Sequence, residues 1–410
     1  MQKNPDQQPR KTLLISSNGG GLGHLSRQVA ISLAGSAAEL LSPLILTMSK
    51  GSDAVRQMGL NVEYVPSRRE KEMSFSNWHR FLSSNIVEIV RRNNIEVVHF
   101  DGVSIYPGVV LASMELPDIP FAWTRRGMWK KSSSTRALVA AKIFDLIIEP
   151  GDLAVSADHG PTSKRTDAIR VPPITLTDVV PRLMREEAAQ AIGLDPNRKT
   201  VLVAIGSGAL GDNRSVSAVV CQTVEQIGGW QIVVATSPIA TEQSHRAQNV
   251  YHLPTSYPMT QFLNVFDAAV IAAGYNAPHE MISAQIPSLL LPNLDTVCDD
   301  QSARAIGMAE RRLAIMISPG DELELVKQVQ TLLRQDTRTR LSRNIKELNP
   351  QESHGGAIDV ARLLSKLKVQ ASRRIYRRFW GSLARIRLSA ASKSEPLRRR
   401  LHTRKNSGES

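Results

Sequence analysis

Residues 13–27 read LLISSNGGGLGHLSR. An apolar run of strand character feeds three consecutive glycines, Gly19 to Gly21, then Gly23, and His24 opens a segment whose apolar spacing predicts a helix. Such a strand, glycine-rich turn and helix start bring backbone N–H groups and the positive end of a helix dipole to one place, which suits an anion. Two common versions are excluded. The dinucleotide fingerprint needs a third glycine where His24 stands, and an acid after the second strand, where TMSKG at 47–51 has none. The P-loop needs Gly-Lys-Ser/Thr where the chain has Gly23-His24-Leu25. What remains is a loop that lets another molecule approach the backbone, with an imidazole at its rim. A helix N-terminus favours the neutral ring, which can act as a base; the alternative is a histidine that packs or caps locally.

Outward from this stretch, short β-rich runs alternate with helical patterns: TLLISS, SPLILTM, VEYVP, IEVVHFDG, PFAWT and FDLIIEP. A second series follows with the same rhythm: TVLVAIGSG, WQIVVATS, VYHLP, AAVIAAG, PSLLLPN and RLAIMIS. Alternation of this kind predicts βαβ units, hence an α/β fold with parallel sheets. Pro172, Pro173 and Pro181 place a boundary between the two series. The expected organisation is a domain over 1–175, a second over 176–368 ending in a helix with Ala357, Val360, Ala361, Leu364 and Leu367 facing the core, and a tail over 369–410. Ligands are expected in a cleft at the carboxyl ends of the strands.

At 410 residues and 42% apolar content the chain is long enough for two cores. Cys221 and Cys298 have neither disulfide-framework nor metal-ligand spacing, so no metal site is expected. No apolar run approaches the roughly 18 residues that a membrane span needs, and a cytoplasmic location is expected. The net charge of +13 is local: 15 Lys and Arg fall between Arg362 and Lys405 against Glu395, while residues 1–361 hold 36 bases and 36 acids. A nucleic-acid partner therefore does not follow from the charge. In the tail, Ile375, Phe379, Leu383 and Ile386 recur at helical spacing, with Arg373, Arg374, Arg377, Arg378, Arg385 and Arg387 mostly on other faces. That pattern predicts a basic amphipathic helix on an anionic membrane; a solvated tail or a helix docked on its own domain is the alternative.

The second series carries its own chemistry. Its first strand ends in Gly206-Ser207-Gly208, a turn suited to phosphate. Later, Gly274 closes a strand, Asn276 stands where it can cap a helix, and Glu280 falls in the helix's first turns. Free N–H groups there could grip a diphosphate while Glu280 reaches ribose hydroxyls. A capping Asn and an acid complementing the dipole explain those two residues equally well, but not the loop after PSLLLPN, where Asp295, Asp299, Asp300 and Gln301 suit sugar hydroxyls.

Together, GGGLGH, GSG, GYNAPHE, IPSLLLPN and DDQSARA resemble the GT-B nucleotide-sugar glycosyltransferases of family 28, over most of residues 12–367. These include the N-acetylglucosaminyltransferase of peptidoglycan synthesis and the plastid galactolipid synthases. The resemblance implies two Rossmann-like domains facing across a cleft. The second would hold a UDP-sugar, with Gly206, Ser207, Gly208, Gly274, Tyr275, Asn276, Ala277 and His279 around the diphosphate, Glu280 on the ribose, and Asp300 and Gln301 on the sugar. The first would hold a lipid or glycan acceptor, with Gly20, Gly21 and Gly23 at the cleft. It further implies inversion by direct displacement without metal or cofactor, with His24 or Asp101 as the base and His24 preferred. The chain departs from the peptidoglycan enzyme at Trp123-Thr124-Arg125-Arg126-Gly127, where that enzyme has a His-Glu pair. Arg125 and Arg126 could there face an anionic acceptor. Two other classes stay open: a UDP-sugar epimerase of the same fold, and a noncatalytic subunit of a two-chain transferase.

Overall fold

The β-rich runs form strands in the computed structural model, which describes residues 8–17, 22–206, 213–235, 250–253, 257–317 and 320–406. Strands β1 (Arg10–Ser16), β2 (Leu41–Thr47), β3 (Val62–Tyr64), β4 (Val97–Asp101), β5 (Phe121–Thr124), β6 (Leu146–Pro150) and β7 (Ile169–Val171) make one sheet, in the order β3-β2-β1-β4-β5-β6-β7. Strands β8 (Lys199–Ala204), β9 (Trp230–Val234), β10 (Val250–His252), β11 (Ala268–Ala272), β12 (Ser288–Leu291) and β13 (Ile315–Met316) make a second, ordered β10-β9-β8-β11-β12-β13. Neighbours pair in parallel in both. Each order runs outward from its first strand and then reverses, so β1/β4 and β8/β11 are switch points where a crevice opens. This is the doubly wound α/β architecture expected from the alternation. Only β7, three residues long, escaped the pattern.

Strands buried on both faces explain the near-continuous apolar runs. Alternate residues go to opposite sides: Leu13, Ile15, Val98, Phe100 and Trp123 pack on one face of the first sheet, Leu14, Ile45, Val97, Ala122 and Ile148 on the other. Each fully buried aliphatic side chain contributes about 1.5–3 kcal/mol. The first face is covered by helices α2 (Phe75–Arg92) and α3 (Pro107–Glu115), the second by α1 (Gly23–Ala37). Helices α4 (Asn276–Ser283) and α5 (Gln301–Glu310) follow β11 and β12 in the second domain.

Two expectations about the C-terminal part are corrected. Helix α6 (Gly356–Lys366) does bury Ala357, Val360, Ala361 and Leu364, but in the core of the first domain against α1, not in the second. Helix α7 (Ala371–Asn406) is not a free tail, because it docks on α2 and α3. Arg377, foreseen on a solvated face, is buried there: its guanidinium donates to the carbonyls of Pro117, Ile119 and Ile143 and pairs with Asp145. The linker is likewise part of the first domain, since Ile174 and Leu176 lie in the same core cluster. The chain thus crosses to the second domain and returns.

Candidate functional site at the domain interface

β1 and β4 are neighbours with Ser16 opposite Asp101 in register, so the loop into α1 and the end of β4 open side by side. His24, in the first turn of α1, points its Nδ1 at Asp101 Oδ1, 2.6 Å away. Arg27, one turn further along α1, clamps the same carboxylate, with Nε 2.8 Å from Oδ2 and Nη2 2.7 Å from Oδ1. Asp101 is wholly buried. Burial opposes its charge, but Arg27 and His24 outweigh this and hold the carboxyl well below the usual carboxylate range. Such a group stays ionised and takes no proton, so of the two expected bases Asp101 is the wrong one. Its part is to accept the Nδ1 proton of His24, which leaves Nε2 deprotonated. Burial, followed by Arg27 and Arg126, pulls the His24 imidazolium below its ordinary value against the pull of Asp101, so the ring is neutral near pH 7.

Across the interface, Arg27 Nη1 donates to Asn276 Oδ1 at 3.1 Å, and Asn276 Nδ2 donates to the Gly23 carbonyl at 3.3 Å. Gly23 thus allows the close approach of the second domain's helix to the first domain's loop. Asn276 is not a cap: it is the first residue of α4, and neither α1 nor α4 has a side-chain hydrogen bond at its start. By contrast α2 and α5 are capped by Ser74 and Asp300. The two helices that begin at the interface are therefore those whose first N–H groups no N-cap side chain satisfies. One turn into α4, Glu280 is 7% exposed, and burial alone raises its carboxyl to about 7. Gly206, after β8, has φ of 105°, a conformation open to glycine.

Beside this, Tyr275 forms the floor of a charged cluster. The guanidiniums of Arg27, Arg126 and Arg304 lie 5.3, 5.8 and 5.9 Å from its ring centroid. Arg304 pairs with Asp152 at 2.7 Å and Asp299 at 2.9 Å, and Arg126 with Asp299 at 3.3 Å. Three buried cations face three buried carboxylates, two of them from opposite domains to their partners. Asp299, expected on sugar hydroxyls, is instead tied to these arginines, which hold it well below the usual range despite burial.

Several expected ligand residues are otherwise engaged. Tyr275 donates its hydroxyl to the Gly151 carbonyl and receives the Ile174 N–H, so only its backbone is left at the start of α4. His279 donates from Nδ1 to the Tyr275 carbonyl and accepts the Leu153 N–H at Nε2, which makes it a strut between domains and not a donor contact. Arg125 is fully buried between Glu149 and Asp167, inside the first domain, and faces no acceptor. Arg126, on the other side of the strand exit, does enter the interface, and its buried Nε has no hydrogen-bond partner. Asp300 caps α5 by accepting the Ala303 N–H, and Gln301 accepts the Asn293 N–H with its Nε2 beside Gly274. Gly20, Gly21, Ser207 and Gly208 lie outside the described residues. Arg27, Asp152 and Arg304 were not singled out in the sequence; for Arg27 the signal was its position three residues after His24, on the same helix face.

No family model matches the chain. In sequence it is 29% identical over 178 residues to the UDP-N-acetylglucosamine--N-acetylmuramyl-(pentapeptide) pyrophosphoryl-undecaprenol N-acetylglucosamine transferase of Phocaeicola vulgatus, covering 40% of this chain and 46% of that one. It is 29% identical over 195 residues to the protein of the same name from Leuconostoc citreum, covering 44% and 50%. The chain thus spans about half the length of the curated relatives it matches. In structure it resembles Acinetobacter baumannii MurG, with a TM-score of 0.57 at 14% identity over 88% of this chain and 100% of that one. The spinosyn rhamnosyltransferase SpnG complexed with thymidine diphosphate gives 0.55 at 14% identity, over 87% and 100%. Fold and sequence agree: this is a GT-B chain related to the family 28-like glycosyltransferases.

Proposed function

We propose that the chain is a hexosyltransferase that moves a hexose or N-acetylhexosamine from a UDP-sugar to a hydroxyl of a membrane-associated acceptor, a lipid or a cell-envelope glycan, with inversion and without metal. The observation that carries this reading is the His24–Asp101 pair on one sheet's switch point, set against the uncapped start of α4 on the other. The acceptor hydroxyl gives its proton to His24 Nε2 while its oxygen attacks the anomeric carbon from the face opposite the leaving group. The bond from that carbon to the diphosphate oxygen breaks, and UDP leaves with the bonding pair. N–H groups at the start of α4 and around Gly206 receive the diphosphate charge, and so take the part a cation plays elsewhere. Glu280 takes the ribose hydroxyls, with Asp300 and Gln301 nearest the sugar. Arg126 is placed for an anionic acceptor. The enzyme would work at the inner face of the membrane, with its basic C-terminal helix as the contact.

An epimerase needs carboxylates free to act on the sugar, whereas Asp101, Asp152 and Asp299 are each held by arginine. Calorimetric titration with UDP and a panel of UDP-sugars, on the parent and Glu280→Ala, tests the donor site. Binding lost in the variant supports the assignment. Failure of every uridine nucleotide to bind, or epimerised UDP-sugar without acceptor, overturns it.

A further inference from the structure

Helix α7 has two faces with different fates. One is docked: Arg377 and Leu388 are buried, Trp380 and Ala384 pack on the first domain's core, and Gly381 lies so close to Met114 that a Cβ would meet its sulfur at 2.4 Å. On the opposite side of the same turns, Ile375, Phe379 and Ile386 are 71%, 61% and 65% exposed. Arg374, Arg378 and Arg385 flank this stripe on one side and Arg387 on the other, all exposed. Docking thus uses up one face and leaves a row of large apolar side chains in water, bordered by cations.

The direction of the helix matters as much. Its docked start bonds carbonyls just before β5 and β6, the end of the first sheet away from the cleft. Further along, the Leu388 carbonyl accepts from Ser76 Oγ at 2.6 Å, and Ser389 from Arg80 at 3.3 Å. These residues lie in the first turns of α2, which follow the carboxyl end of β3 and so belong to the cleft side. Phe75, the first residue of α2, is also 45% exposed there. Beyond Ser389 the helix continues to Asn406, through a sequence with Lys393, Arg398, Arg399, Arg400, Arg404 and Lys405 against Glu395.

We propose that the outward face of α7 seats the first domain on an anionic bilayer, with the basic end of the helix on the side where the cleft opens. An apolar row bordered by arginines matches acyl chains beneath anionic headgroups, because the arginine stems can lie along the apolar row while their heads stay at headgroup level. A second copy is the poorer occupant, because a two-fold contact would set one cationic border against another. Nucleic acid would engage the cations and leave Ile375, Phe379 and Ile386 in water. This deepens the lipid-acceptor reading above, and rests on it only for the purpose of the orientation.

The test is co-sedimentation of the full chain with vesicles of phosphatidylcholine alone or mixed with phosphatidylglycerol, alongside Ile375→Ser/Phe379→Ser/Ile386→Ser and Arg378→Glu/Arg387→Glu. The parent should pellet with the anionic vesicles, less so as salt rises, and scarcely with neutral ones. Each variant should lose about tenfold or more in partitioning while melting at the parent's temperature, since every altered side chain is exposed. Equal binding by the triple variant, indifference of the parent to phosphatidylglycerol, or a parent dimer that the triple variant makes monomeric overturns the proposal. Titration with UDP in the absence of vesicles separates the two readings. Vesicle binding without UDP binding sinks the transferase and leaves the surface; UDP binding without vesicle binding does the reverse.

Discussion

Arg27 donates to Asn276 at 3.1 Å although the two residues belong to different domains, and with its remaining nitrogens it grips the carboxylate that orients His24. The first residue of the proposed donor helix is therefore two side chains away from the proposed base's partner.

If this bridge positions the base, Arg27→Lys, which keeps a charge but cannot bond both partners at once, should lower kcat about tenfold or more with little change in UDP affinity. Asn276→Ala should give a milder form of the same split. Arg27→Met removes a cation that holds the imidazolium down, so its acid limb of kcat/KM should move to higher pH. Steady-state kinetics across pH with the best UDP-sugar checks all three.

Removal of the base is a separate matter. His24→Ala should lose ~10²–10⁴ of the transfer rate while UDP still binds. Because burial lowers the imidazolium in the parent, activity should hold through neutral pH and fall only below the ordinary histidine range. Asp101→Asn should also be slow, because an amide no longer fixes the proton on Nδ1, and its acid limb should lie lower still.

Glu280 should show opposite effects on stability and binding. Its folded carboxyl, raised to about 7 against an ordinary 4.5, binds protons that the unfolded chain has already released between those values. Stability is therefore lost as pH rises through that window, by up to about 3 kcal/mol when the shift is converted at 1.36 kcal/mol per unit. Glu280→Gln should melt higher than the parent at pH 8, match it near pH 4, and bind UDP more weakly. Parallel melting curves and titrations decide this.

Arg377 gives a purely structural prediction. Arg377→Ala leaves the buried Asp145 without its cation and three carbonyls without a donor, and should cost about 3–5 kcal/mol. Denaturant unfolding of the full chain measures it, and an exposed neighbour such as Arg378→Ala should stay within about 0.5 kcal/mol.

The sequence reveals what is local. Two-sided strands announce themselves as apolar runs, so both sheets were readable, and strand ends located His24 and Asp101 separately. It does not reveal who pairs with whom across an interface. The acids after PSLLLPN looked like sugar ligands because nothing in the chain shows Arg126 and Arg304 arriving to neutralise Asp299. Arg125 and Arg126 looked alike, yet neighbours at a strand exit point to opposite sides, and one went inward to Glu149 while the other entered the cleft. In α7 the apolar stripe was legible, but an arginine that docks by satisfying three carbonyls has no signature that separates it from a solvated one.

The return of the chain through α6 and α7 also sets a timetable. During synthesis the seven strands of the first sheet emerge early, but Ala357, Val360, Ala361 and Leu364, which close one face, and Arg377, which closes the other, emerge only after the entire second domain. The nascent first domain must wait with both flanks incomplete, its apolar strands open to chaperones or to misassociation. A ribosome that stops before residue 356 therefore releases a molecule that contains every proposed catalytic residue and cannot finish the domain that holds His24.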